Sequence, residues 1–246
     1  MPDTLPTLPY LAGVLAVGMI AGIIRGLTGF GAALVIVPGL SLFVDPKLAV
    51  AAGMVAIAVT HLPLLPGARR NADYRTVLTC YMASVAALPL GVHLLVSLAP
   101  RTLQAAIGLS VILASLLLVR PGPRLPRAGV PIKLGAGLLS GMMNGSVGMG
   151  GPPVILLLLA LPIPPVVARA SLIVYFALLN ATSLTLMAFQ GLVDARTLLW
   201  AGLLIVPLAL AARIGEMLFH RGGAAHFRPI ALAVLVLTGL AALAKL

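Results

Sequence analysis

Two glycine-rich stretches, 119 residues apart, interrupt long apolar runs and repeat one another. The first reads Gly22-Ile23-Ile24-Arg25-Gly26-Leu27-Thr28-Gly29-Phe30-Gly31. The second reads Gly141-Met142-Met143-Asn144-Gly145-Ser146-Val147-Gly148-Met149-Gly150-Gly151-Pro152-Pro153. Gly22, Gly26, Gly29 and Gly31 fall on Gly141, Gly145, Gly148 and Gly150 without a gap. Lipid offers no partner for a freed backbone N–H or C=O, so a break inside a membrane is tolerated only where protein or a water-filled cavity surrounds it. Paired breaks at corresponding places in two halves of a chain are the sequence mark of a transporter's binding site.

The apolar runs fall near residues 8–24, 30–44, 48–66, 76–98, 102–119, 134–144, 149–162, 166–189, 197–219 and 229–245. With 61% hydrophobic and 9% charged residues, a soluble fold is excluded, because too few charged side chains remain to cover its surface. Several of the four segments flanking the glycine motifs are too short for a full crossing, so each pair reads as a re-entrant hairpin or broken helix. The other six runs are long enough to span. The first residues, Met1-Pro2-Asp3-Thr4, lack the positive start of a cleaved signal peptide.

The net charge of +11 does not point to nucleic acid, since the basic residues sit in the loops that orient a membrane protein. The lone Cys80 has no internal disulfide partner, and no Cys/His cluster has metal spacing, so no cofactor or metal is expected. The five acidic residues place no pair in one apolar run, which argues against paired-carboxylate catalysis. With no phosphate-binding glycine loop, the reading is a non-enzymatic membrane protein that does not use ATP.

The loops repeat as well. Asp73-Tyr74-Arg75-Thr76 resembles Asp194-Ala195-Arg196-Thr197, Pro46 corresponds to Pro165, and His61 to Asn180. The expected architecture is all-α, one transmembrane domain over 1–246: repeat one at 8–119, a linker at 120–133 and repeat two at 134–246. Each repeat holds a glycine-motif hairpin and three transmembrane helices, and an odd number of crossings inverts the second repeat relative to the first. One side of the membrane collects Arg69, Arg70, Arg75, Arg120, Arg124, Arg127, Lys133, Arg169, Arg221 and Arg228. The other has Lys47, Arg101, Arg196 and Lys245. The richer side is then cytoplasmic, and both termini face outward.

The candidate site follows from the motifs. Gly26, Gly29, Gly31, Gly145, Gly148 and Gly150 let the backbone turn sharply, and a reversal leaves the N-terminal end of the second half-helix inside the protein, where its N–H groups favour an anion. Gly22-x-x-x-Gly26 and Gly141-x-x-x-Gly145 also fit close helix packing through small residues. Arg25 is a charge inside an apolar run, whose forked donors suit an oxyanion. Asn144 holds the matching place. Thr28 and Ser146 can donate to substrate or satisfy freed carbonyls. His61 can carry a proton or make a helix contact, and Asn180 corresponds to it. Arg213 and Glu216, three apart, are placed to pair on one helix face. Met142, Met143 and Met149 read as packing.

At these motifs the chain resembles the sulfite exporter family of the TauE/SafE type, over almost its whole length. The resemblance rests on the duplicated Gly-x-x-x-Gly-x-x-Gly-x-Gly cores with a following proline (Pro38; Pro152-Pro153) and on the turns at Pro46 and at Pro165-Val166-Val167-Ala168-Arg169-Ala170. It implies a transporter of sulfite, organosulfonates or related small anions in the bacterial inner membrane. The expected function is therefore secondary transport of a small oxyanion, driven by protons or the membrane potential. An uncoupled anion conduit and a permease for a small carboxylate are the alternatives. The sequence leaves open which anion moves, in which direction, and whether the chain forms a homodimer.

Overall fold

The structure, a computed structural model, describes residues 8–28, 30–119, 125–126, 128–218, 240–242 and 244. It is helical throughout, with no strand among the described residues. The helices are α1 (Leu8–Thr28), α2 (Ala32–Ser41), α3 (Pro46–His61), α4 (Leu65–Ala68), α5 (Tyr74–Ser97), α6 (Pro100–Val119), α7 (Val130–Val147), α8 (Gly151–Ala160), α9 (Pro165–Phe189) and α10 (Ala195–Leu218). A 3-10 turn at Leu62–Leu64 joins α3 to α4. Among the described residues, six stretches are long and apolar enough to cross a membrane: α1, α3 through α4, α5, α6, α9 and α10. Large apolar side chains such as Met82, Leu116 and Val206 face outward, as lipid contact requires. This is a multi-pass membrane protein. The expected run at 229–245 lies largely outside the described residues.

The helix starts are written locally. Asp45 accepts from the Lys47 N–H at 2.9 Å, ahead of Pro46. The duplicated Asp-x-x-Thr loops are caps: Asp73 accepts from the Thr76 N–H at 3.2 Å and hydroxyl at 2.6 Å, and Asp194 from the Thr197 N–H at 2.7 Å. Partial burial would raise the Asp73 pKa, but the Thr76 hydrogen bonds and then Lys133 outweigh it and hold the carboxyl below its usual range. The ionised form is the one that caps. Its contribution is whole above pH about 4 and disappears as pH falls through the lowered folded value. Asp73→Ala is expected to cost about 1 kcal/mol at neutral pH. Thermal melts of both proteins in detergent should show that difference and show it narrowing in acid.

Two helix pairs are held through glycine. A Cβ on Gly18 would meet Pro207, one on Gly22 the Leu208 carbonyl, and one on Gly26 the Ala212 carbonyl. Residue numbers rise together, so α1 and α10 run parallel with backbones nearly touching. In the same way Gly137 faces Cys80, Gly141 faces Ser84 and Gly145 faces Leu88, so α7 and α5 are parallel. Each crossing is glycine on glycine, Gly26 with Gly215 and Gly145 with Gly91.

This shifts one expectation. The break anticipated after residue 24 does not occur there: α1 runs on through Arg25 and Gly26 to Thr28, making 21 residues and a full-length helix. Likewise α7 continues through Asn144 and Gly145 to Val147. A helical glycine costs about 1 kcal/mol relative to alanine, and here the close approach of a neighbouring backbone offsets it. The chain turns only afterwards, with Gly31 at φ 90° and Gly148 at φ 69°, a conformation that side-chain-bearing residues seldom adopt. Helices α2 and α8, ten residues each, are about 15 Å long, half the roughly 30 Å hydrocarbon thickness.

Contacts at the helix ends define two faces. On one, the Tyr10 ring lies 6.0 Å from Phe43 and Lys47 Nζ donates to the Val96 carbonyl. This gathers the starts of α1 and α3 with the ends of α2 and α5. On the other, the Leu125 N–H donates to the Ala160 carbonyl at 2.8 Å, Lys133 Nζ to Thr76 Oγ1 at 2.7 Å, and the Asp73 N–H to Ser171 Oγ at 2.9 Å. The starts of α5, α7 and α9 and the end of α8 meet there. Arg69, Arg70, Arg75, Lys133 and Arg169 all belong to this second face. Glu216 joins it too, but its partner is not Arg213: it lies 3.8 Å from Arg169 of α9, because α10 ends beside the start of α9.

Candidate functional site

The two turns converge on one cavity of about 50 Å³, several times the roughly 10–15 Å³ that one water needs. Seven of the twelve expected residues line it: Arg25, Gly31, His61, Asn144, Gly148, Gly150 and Asn180. They come from α1, α3, α7, α9 and both turns, from residues far apart in sequence. Phe30, Met54, Ile57, Met149, Ile155 and Phe176 supply apolar walls.

Arg25 is 4% exposed, so it does not snorkel to an interface. Its Nη1 donates to Thr60 Oγ1 and its Nη2 to the Thr60 carbonyl at 2.9 Å. Thr60 is itself oriented by carbonyls of α3, donating within reach of Ala56 and Ile57 at 2.9 and 3.1 Å. No carboxylate lines the cavity among the described residues, so the guanidinium charge is unbalanced there. His61 uses Nδ1 toward the Ile57 carbonyl at 3.0 Å. A carbonyl only accepts, so the proton is on Nδ1 and the Nε2 lone pair is left over.

On the opposing side, Asn144 Nδ2 donates to Ser183 Oγ at 2.7 Å, and its Oδ1 accepts from the Gly150 N–H at 3.4 Å. The turn is further tied by Ser140, whose hydroxyl donates to the Gly150 carbonyl and accepts from the Tyr175 hydroxyl at 2.7 Å. Asn180, 4% exposed, lines the cavity, and its amide makes no hydrogen bond among the described residues. That amide faces the cavity with its hydrogen-bonding capacity unspent, open to a polar ligand.

The other expected residues stand elsewhere. Gly26 and Gly145 lie at the helix crossings. Ser146 donates to the Met142 carbonyl of its own helix at 2.8 Å. Gly29 and the Thr28 side chain lie outside the described residues. Met149 lines the cavity as an apolar wall. Reading the residues alone missed Thr60 and Ser183. Thr60 had a signal as the hydroxyl beside His61, and Ser183 as a hydroxyl one turn along from Asn180.

The profile of the sulfite exporter TauE/SafE family matches residues 14–242, nearly the whole chain and both glycine turns. The chain belongs to the sulfite exporter TauE/SafE family. It is similar to a probable sulfite/organosulfonate exporter TauE of Cupriavidus necator, 26% identical over 216 residues, 85% of this chain and 84% of that protein. No solved structure matches the chain. For a TauE/SafE protein the cavity is a chemically apt place: one unbalanced guanidinium, amide donors and apolar walls are what a small oxyanion needs.

Proposed function

We propose that this TauE/SafE protein is a secondary transporter exporting sulfite or a small organosulfonate, and that the Arg25 cavity is its binding site. One observation carries the reading: a buried arginine without a carboxylate faces an unpartnered buried asparagine across a space sized for a small ion. The sulfite and organosulfonates for which the relative is named agree with that chemistry.

The half-sites differ. The first turn of α2 offers the N–H groups of Ala32 and Ala33, which have no intrahelical partner. The first turn of α8 reads Gly151-Pro152-Pro153, and proline has no N–H. The anion therefore sits nearer Arg25 and the α2 end, with Asn180 and Gly151 completing its shell. His61 Nε2 is the available proton acceptor if efflux is coupled to protons.

We read α1–α2 and α7–α8 as hairpins within two inverted repeats. The support is reciprocal packing: α1 on α10 against α7 on α5, α2 on α3 against α8 on α9, and α3 on α10 against α9 on α5. The first hairpin opens on the Tyr10–Phe43 face and the second on the Leu125–Ala160 face. The arginine-rich face is then cytoplasmic by charge bias. Alkaline phosphatase fused after Leu246 should be active, and fused at Ala128 inactive; the reverse pattern would refute the orientation.

The direct test of the site is a thermal-shift series on purified protein at constant ionic strength, with sulfite, sulfoacetate, taurine, sulfate and acetate. A ligand at a hundred times its Kd stabilises by about 2.7 kcal/mol, roughly 5–10 °C for a chain of this size. Sulfite or sulfoacetate should give such a shift and acetate much less. A flat response to every sulfur anion would sink the reading.

A further inference from the structure

A second cavity, of about 300 Å³, lies beside the first, and Phe30 lines both. Leu158 and Leu172, 1% and 4% exposed, mark its inner end. Pro165 and Arg169, at the start of α9 on the arginine-rich face, mark its mouth. The Arg169 and Glu216 side chains are 42% and 49% exposed and stand 3.8 Å apart. Such a solvated pair is weak, so Arg169 is free to exchange Glu216 for a passing anion.

Among the described residues, the corresponding segments of the first repeat are covered. Leu159, Pro165 and Arg169 correspond, at the same offset of 119, to Leu40, Pro46 and Val50. Leu159 is 59% exposed, while Leu40 and Val50 are fully covered. Pro165 is exposed and Pro46 buried. The covered segments pack against α6, whose counterpart in the second repeat lies largely outside the described residues.

We propose that the Arg169 cavity is the vestibule through which the anion reaches the Arg25 cavity from the arginine-rich face. Phe30 is the side chain separating the two chambers. The inference rests on the Arg25 cavity being the anion site. It adds a first, weaker anion site at Arg169 and a positioning role for Phe30, whose ring must yield for the ion to pass.

Thiol accessibility tests this in full-length protein in sided vesicles, with Cys80→Ala as the background. Single cysteines are placed at Ala168 in the vestibule, Ala49 at the corresponding covered position, and Ala33 in the central cavity. Each is exposed to a membrane-impermeant sulfonate-bearing methanethiosulfonate and to its quaternary-ammonium analogue. Ala168→Cys should react from the arginine-rich face only, faster with the anionic reagent. Adding Arg169→Gln should lower the anionic rate and raise the cationic rate, each by up to about fivefold, the effect of one nearby charge in a watery site. Ala49→Cys should stay unreactive from either face. Adding Phe30→Ala should speed labelling of Ala33→Cys, with the Ala168→Cys rate unchanged. Equal reactivity of Ala49→Cys and Ala168→Cys would overturn the vestibule as the route of access. Labelling of Ala168→Cys only by an apolar, permeant maleimide would mean that lipid fills the cavity and would overturn the vestibule. An Ala33→Cys rate indifferent to Phe30→Ala would overturn the gate. Labelling reads access and field whichever ion is carried, so a flat sulfite response beside the expected labelling would remove sulfite as cargo and leave the vestibule standing.

Discussion

Arg25→Gln should all but stop anion movement while leaving the empty protein at least as stable as wild type. The two halves of this expectation share one cause. A buried guanidinium without a counter-charge costs several kcal/mol of lost hydration, and its hydrogen bonds to Thr60 replace only part of that. A bound anion supplies what is missing. Removing one partner of a buried charge pair typically costs 2–5 kcal/mol of binding, or about 30-fold to several thousandfold in affinity at 1.4 kcal/mol per tenfold. Gln fills similar space without charge, so the ligand-free Tm should hold or rise while the sulfite-induced shift and proteoliposome efflux vanish. Arg25→Lys keeps the charge but presents a point donor instead of a fork. It loses one of the two Thr60 bonds and should transport at a reduced rate. Wild-type efflux by Arg25→Gln would assign the arginine to packing alone.

The second large effect is on folding. Gly141→Leu should leave no monodisperse protein in detergent, and Gly141→Ala should lower Tm by several degrees. A Cβ at Gly141 would lie against the Ser84 backbone, with its Cα at 2.6 Å and its carbonyl carbon at 2.7 Å. Backbone cannot rotate away as a side chain can, so α5 and α7 must separate along a contact that also includes Gly137 and Gly145. One added methyl in such a place costs about 1–3 kcal/mol, or about 2–12 °C for a chain of this length. Gly135 and Gly202, on α7 and α10, have open space where a Cβ would go. Alanine there should be neutral or stabilising by up to about 1 kcal/mol. A chain in which Gly135→Ala harms folding as much as Gly141→Ala would show that helix propensity, not interhelical approach, sets the effect.

Much of this was legible in the residues. Apolar run lengths and the scarcity of charge determined a multi-pass helical membrane protein, because bilayer thickness and backbone hydrogen bonding leave few alternatives. The Asp-x-x-Thr loops wrote their own helix caps, since capping involves neighbours in sequence. The spaced glycines and prolines were specific enough to place the chain in its family. Positions in depth and partners across the fold were not legible. In water the buried face of a helix is the apolar one and shows as a period, but lipid is as apolar as a protein core. Nothing in α1 or α7 therefore announces which side meets protein. That is why Gly26 and Gly145, grouped with the turns by their spacing, stand at helix crossings, and why, among the described residues, the breaks come at 30–31 and 148–150. The same blindness hid Thr60 behind Arg25, set Glu216 against Arg169 and not Arg213, and left Asn180 facing the cavity without a partner. Those outcomes depend on which helices pack side by side, and only the tertiary structure decides that.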